Sequence, residues 1–301
     1  MQMMTVKNQF LEVEFVLPTD DVELGNRFCR GAWIRNVLHR ESHEGYFVAE
    51  SIEADALVFG CPHEFRTAIP LSDRDCTEVT VLKIGVGRLL HRKGSSRFDD
   101  KLLQAYPWQC TFEKRNDVDQ ALCVQEVSES QGYGYILEQR ISIEGSTLKI
   151  GNRLKNTGSK RLETEVYIHP FFDERQKDGQ YWYQIPQHTL GAAAQTSTMN
   201  MDRVNLEAFP PNNVPIPGDV LCSAYNWIAT GSRKTGRCMG IYSESSFSKI
   251  NMWREPGLCY AIEPYLPIDL EPGESQLWNW CLHAGQENEE IRSMGRGGWK
   301  R

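Results

Sequence analysis

The sequence predicts an all-β protein, a large sandwich or barrel of antiparallel strands. Three observations predict it. Apolar and polar residues alternate at a period of two along most of the chain. Turn-forming residues punctuate the alternating stretches, and long helical periodicity is nearly absent. With 301 residues the chain is long for one domain but within the range of all-β folds, and a large core is within reach.

Taken in order, the stretch from Phe10 to Phe15 sets Leu11, Val13 and Phe15 on one face and Glu12 and Glu14 on the other. Comparable patterns predict strands at 32–37, 46–50, 77–84, 111–114 and 121–127. Residues 133–143 alternate without interruption, meet the turn Glu144-Gly145-Ser146, and resume at 148–154, which predicts a hairpin. Further strands are expected at 161–168, 180–185, 238–243, 247–253, 258–262 and 276–283. One short helix is expected at 99–105, with Asp99 or Asp100 near its start. Residues 205–219 hold four prolines and cannot be a central strand; a long ordered loop at one rim is expected rather than a domain linker. Residues 1–283 are read as one domain, and the polar tail 284–301, ending Gly-Trp-Lys-Arg, as a mobile extension.

Composition excludes several classes. Hydrophobic residues make up 40% and charged residues 24%, an ordinary globular balance. The net charge of −7 argues against nucleic acid as a partner, since phosphate binding needs a basic field. No apolar run reaches membrane-spanning length, and the first residues lack a basic region followed by an apolar stretch, so neither a membrane span nor a signal peptide is expected. Nine scattered cysteines with no CxxC pair read as small buried hydrophobes in a reducing compartment, which points to the cytoplasm.

Two constellations carry candidate chemistry. The first is Asn152-Arg153-Leu154-Lys155-Asn156-Thr157-Gly158, followed by Tyr167-Ile168-His169-Pro170-Phe171-Phe172. Pro170 stops the strand and holds His169 extended, above a floor of two phenylalanines. A histidine at a strand end can donate or accept a proton near neutral pH, or it can be a core histidine bonded to a carbonyl. The second runs Met252-Trp253-Arg254-Glu255-Pro256-Gly257, then Ala261-Ile262-Glu263-Pro264, then Leu270-Glu271-Pro272-Gly273-Glu274. Glu263 interrupts an apolar strand, so its carboxylate lies either at a solvated rim, paired with Arg254, or in a cleft.

In this order the motifs resemble those of the galactose mutarotase-like, or aldose 1-epimerase, family: an N-x-L-x-N-T-G strand end, a histidine in H-P-F-F, a glutamate in E-P and a closing L-E-P-G-E turn. The stretch from Val81 to Leu89 also looks like this group, and the resemblance spans about residues 60–283. It implies a β-supersandwich with an open sugar-binding face. It also implies that Glu263 takes the proton of the anomeric hydroxyl while His169 protonates the ring oxygen, the two meeting across one monosaccharide. Neither metal nor other cofactor is implied. The partner is a neutral or anionic monosaccharide or sugar derivative, and the chain is expected as a monomer or homodimer.

The sequence departs from the family where a further histidine followed by glycine is usual. Lys83-Ile84-Gly85 stands there, and His63 is an alternative supplier of a polar group. Lysine can bind a sugar hydroxyl or an acidic sugar but is a poorer acid at neutral pH. Candidate substrate-binding residues are therefore His63, Arg66, Lys83, and Trp182 and Trp253 as stacking platforms, each of which can equally be a structural residue. A second reading keeps the fold without the reaction, as a carbohydrate-binding or sensing domain. Gly85-Val86-Gly87 lacks the third glycine and following helix of a dinucleotide loop. His39 and His43 fall in a hairpin loop rather than on a helix, so no metal site is expected.

Overall fold

The alternating segments pair into three antiparallel sheets in a computed structural model, which describes residues 2–18, 25–41, 43–50, 59–66, 68–71, 77–96, 99–115, 118–129, 131–175, 181–185, 204–205, 214–217 and 226–286. The first sheet runs in spatial order Met3–Lys7, Leu11–Val16, Cys29–His39, Cys61–Phe65, Leu162–Ile168, Cys259–Leu270, Lys249–Glu255 and Val214–Pro217. Two short strands, Glu44–Gly45 and Phe172–Asp173, attach to its sides. The second sheet runs Gln109–Arg115, Val118–Ser128, Gly134–Glu144, Thr147–Asn156, Ser275–Gln286, Arg237–Tyr242, Trp227–Ser232, Tyr181–Gln184 and Val204–Asn205. A smaller third sheet holds Ile69–Pro70, Glu78–Lys83, Gly87–Arg92 and Lys101–Ala105. No helix among the described residues is long and apolar enough to cross a membrane.

The period of two decides which face of each sheet is buried. In the second sheet Leu137, Ile141 and Ile143 meet Leu148, Ile150, Leu154, Trp278 and Trp280 in one core. Ile262, Leu266, Ile268 and Leu270 of the first sheet enter the same core, so Ala261, Glu263 and Tyr265 must lie on the sheet's other face. That other face carries a separate cluster of Phe28, Trp33, Phe59, Phe171 and Cys259.

Several expectations are corrected. Residues 99–105 do not form a helix: Lys101–Ala105 is a strand on the open edge of Gly87–Arg92. Seven residues are too few to hold a helix alone, and Leu102 packs instead against Val79, Val81, Val86 and Leu89. Residues 46–50 are not a strand; beyond Glu44–Gly45 only Phe47 bridges to Phe172. The strand expected to end at Ile262 continues to Leu270 through Pro264 and Pro267. It tolerates them because its partners change along its length. Lys249–Glu255 pairs with residues 259–265 and Leu162–Ile168 with residues 265–270, so each proline has a paired neighbour on one side only. Within the proline-rich stretch, Val214–Pro217 is an edge strand, where a missing N–H is tolerated; most of the rest lies outside the described residues. The last strand runs on to Gln286, and the tail from 287 lies outside them too.

Candidate functional site

His169 and Glu263 are brought together by two neighbouring strands of the first sheet. Tyr167 stands opposite Tyr265 across Leu162–Ile168 and Cys259–Leu270. Just past that pairing the His169 N–H donates to the Pro62 carbonyl at 2.8 Å, and Pro170 ends the ladder. Alternation sends Val166, Ile168 and Ile262 into the core and turns Tyr167, His169, Glu263 and Tyr265 to the opposite face.

There the His169 Nε2 lies 2.9 Å from the Glu263 Oε1. The other carboxylate oxygen accepts from Asn251 Nδ2 at 2.9 Å and from the Tyr265 hydroxyl at 3.1 Å. Asn251 sits directly opposite Glu263 on the next strand, which explains its reach. Aromatic rings box the imidazole. Phe171 stacks on it with centroids 4.0 Å apart, while Phe28 and Trp253 meet it edge-on at 5.7 and 6.0 Å. Its Nδ1 has no partner among the described residues. Both side chains are nearly closed off, each residue being 3% exposed.

Burial lowers the pKa of His169 below the ordinary imidazole value, against the opposing pull of Glu263. Burial alone would raise that of Glu263. The charge and hydrogen bond of His169, with the Asn251 amide, outweigh it and hold the carboxyl below its ordinary range. The resting pair is therefore a carboxylate accepting the Nε2–H of a largely neutral imidazole.

A second polar cluster adjoins the first. The Glu64 carboxylate accepts from Arg27 Nε at 3.0 Å, from Lys83 Nζ at 3.1 Å and from the Tyr167 hydroxyl. Tyr167 stacks on Tyr265 with centroids 4.3 Å apart, so one aromatic pair joins the two clusters. Arg27 lies over the Phe28 ring, which itself touches the imidazole box. Lys83 leads into a turn where Gly85 takes φ +79° and packs so closely that a Cβ would collide with Cys29 Sγ.

The predicted residues thus divide. His169, Glu263 and Trp253 share one site. Lys83 approaches the same face but is engaged by Glu64. Arg66 lies half-exposed, 3.7 Å from Glu165 and 5.8 Å from the Tyr265 ring centroid. His63 points to the opposite side, into the core: its Nδ1 meets Gln139 Nε2 at 2.6 Å, and burial pushes its pKa down to about 3. Trp182 packs in a separate cluster with Trp227, Ala229 and Cys238 on the second sheet. Of the two phenylalanines expected beneath His169, only Phe171 is there; Phe172 faces the core beside Phe47 and Tyr260. Arg254 pairs with Glu174, not Glu263. Sequence reasoning missed Arg27, Glu64, Asn251, Tyr167 and Tyr265. Stepping two residues back from His169 and two forward from Glu263 would have found both tyrosines.

The class this arrangement defines is the galactose mutarotase-like fold. A galactose mutarotase-like protein from Lactobacillus casei superposes with a TM-score of 0.61 at 12% identity, covering 94% of this chain and 100% of that one. A galactose mutarotase related enzyme from Lactobacillus acidophilus gives 0.61 at 12%, covering 96% and 99%. A GalM/aldose epimerase homologue from C. elegans gives 0.61 at 10%, covering 95% and 99%. At such identities the likeness is one of fold. No protein-family profile and no curated protein matches the sequence.

Proposed function

We propose that the chain is a carbohydrate-active isomerase of the aldose 1-epimerase type, interconverting the anomers of a monosaccharide or sugar derivative. One observation carries this reading: an imidazole and a carboxylate in direct contact on the face of the first sheet turned away from the core. The sequence suggested a base and an acid held apart across a sugar, but the chemistry asks for less. The anomeric hydroxyl oxygen and the ring oxygen are bonded to the same carbon. A proton acceptor for one and a proton donor for the other must therefore be neighbours. On binding, the hemiacetal would replace the hydrogen bond between His169 and Glu263 with one bond to each.

Glu263 would then take the hydroxyl proton as His169, having first taken up a proton from solvent on sugar binding, gives its Nε2 proton to the ring oxygen and returns to the neutral imidazole. The bond from the anomeric carbon to the ring oxygen breaks and the carbonyl forms. Rotation about the adjoining C–C bond and the reverse transfers give the other anomer. Asn251 and Tyr265 hold the carboxylate in place, and Trp253 lies at the edge where an apolar sugar face could rest. The reaction needs no metal or other cofactor, and we read the protein as cytoplasmic, monomeric or homodimeric. The test is NMR exchange between anomers across a panel of neutral and acidic sugars. Acceleration of at least one sugar above the buffer rate is expected; none with any sugar defeats the reading.

A second reading, a binding or sensing domain, is favoured by a different observation. His169 and Glu263 are bonded to one another and almost wholly buried, and Lys83 is bonded to Glu64. It predicts sugar-dependent shifts of protein resonances with no change in the exchange rate.

A further inference from the structure

The sequence reads the cysteines as scattered hydrophobes, but two of them meet. Cys110 and Cys123 stand directly opposite each other across Gln109–Arg115 and Val118–Ser128, within a register that continues on both sides. Side chains at opposed positions of an antiparallel pair leave the same face of the sheet, with Cα atoms about 4.5–5.5 Å apart. That separation lies inside the range of about 4.4–6.8 Å that a disulfide spans. Of the seven cysteines described, all free thiols, no other two are opposed in a strand pair. We propose that Cys110 and Cys123 form a reversible oxidation site, closing to a cross-strand disulfide under a peroxide and reopening under a dithiol reductant.

Placement favours the step. Gln109–Arg115 is the edge strand of the second sheet, and Cys110 is partly exposed there, whereas Cys123 is buried beneath it. The nearness of Cys110, and then of the Ala32 backbone, lowers the pKa of Cys123 in spite of its burial, while the nearness of Cys123, and then burial, raise that of Cys110. One sulfur is thus the readier thiolate and the other the readier thiol. In the first step a thiolate sulfur attacks the peroxide O–O bond and becomes a sulfenic acid, and the departing hydroxide takes up the proton that the thiol lost on ionising and leaves as one water. In the second the other sulfur displaces the sulfenic hydroxyl as a second water and the S–S bond forms. Two electrons and two protons pass from the thiols to hydrogen peroxide, which ends as two waters. The site is independent of the sugar chemistry proposed above.

The test uses the full chain treated with stoichiometric hydrogen peroxide, quenched with N-ethylmaleimide and digested with trypsin. Lys114 and Arg115 lie between the two cysteines, so trypsin separates their peptides unless a disulfide joins them. The expected result is a Cys110–Cys123 linked peptide lighter by two hydrogens than its separate halves, abolished by dithiothreitol. Cys110→Ser, a change at the more exposed position, should lose the link while the chain stays folded. The proposal is overturned if both thiols remain alkylated after peroxide, if Cys110 proceeds to sulfinic acid unlinked, or if Cys110→Ser still shows the two-hydrogen loss.

Discussion

Replacing Glu263 by glutamine removes the proposed base while nearly preserving shape. In the native site Oε1 accepts from His169 Nε2, and Oε2 accepts from Asn251 and Tyr265. Glutamine can keep all three contacts in one way: its oxygen faces Asn251 and Tyr265, and its NH2 donates to His169 Nε2. The imidazole proton then moves to Nδ1, the nitrogen with no partner among the described residues. The stability cost is one unsatisfied buried donor plus the loss of charge in two hydrogen bonds, about 1–3 kcal/mol. The cost to catalysis is larger and of another kind, because an amide cannot take the anomeric proton. Loss of a positioned general base lowers the rate by about 10²–10⁴, or about 3–5 kcal/mol of barrier. The assay is anomer exchange by NMR on the sugar that the native chain turns over fastest, with circular dichroism and urea unfolding on the same sample. A folded Glu263→Gln variant within threefold of the native rate would refute the assignment of the base. A variant inactive only because it is unfolded would refute the stability argument instead.

Two other outcomes follow from the buried groups. The folded pKa of His63, about 3, lies below the ordinary imidazole value near 6.5, so the unfolded chain binds the proton first and stability falls as pH drops through 6.5. Between pH 7 and pH 5 this group should remove about 2 kcal/mol in urea unfolding, and His63→Gln should remove that part of the slope; an unchanged slope would contradict the burial of His63. Glu64→Gln deprives Arg27 and Lys83 of a shared carboxylate and should cost about 3–5 kcal/mol, whereas Lys83→Met leaves Glu64 with Arg27 and Tyr167 and should cost clearly less. Equal losses by urea unfolding would show that Glu64 is not the hub.

How far the sequence reveals this depends on how local the signal is. Alternation marks most strands because one buried face writes itself directly into the residue order, as in Gly134–Glu144 and Thr147–Asn156. It fails where a partner supplies the order. Lys101–Ala105 carries a weak pattern of its own and becomes a strand only because Gly87–Arg92 offers an edge. Cys259–Leu270 looks shorter than it is, since its prolines are harmless only in view of which neighbour lies on which side. At the site, His169 and Glu263 are legible because each breaks an apolar run beside a proline. Glu64 is not, because its donors come from three separate parts of the chain, and nothing local sets it apart from His63, which faces the other way.

The burial of His169 and Glu263 bears on why such a pair exists. A buried carboxylate with its polar partner is a poor source of stability: removing the charge from water costs several kcal/mol, and apolar residues of like volume commonly do as well or better. Here apolar packing is already at hand. Phe28, Phe171 and Trp253 surround the imidazole, and the face carries its own cluster with Trp33 and Phe59. A leucine or methionine could join that cluster with no desolvation cost. Instead the strands place there a carboxylate with three donors and an imidazole with one nitrogen unpartnered among the described residues. Burial disfavours the imidazolium, and the carboxylate beside it favours that form, so modest changes at the pair can shift the proton. An inserted hemiacetal would be such a change, since its two oxygens would take over the hydrogen bond that now joins the pair. The pair is expensive as structure and well matched to proton transfer, and this asymmetry weighs the catalytic reading above the purely structural one.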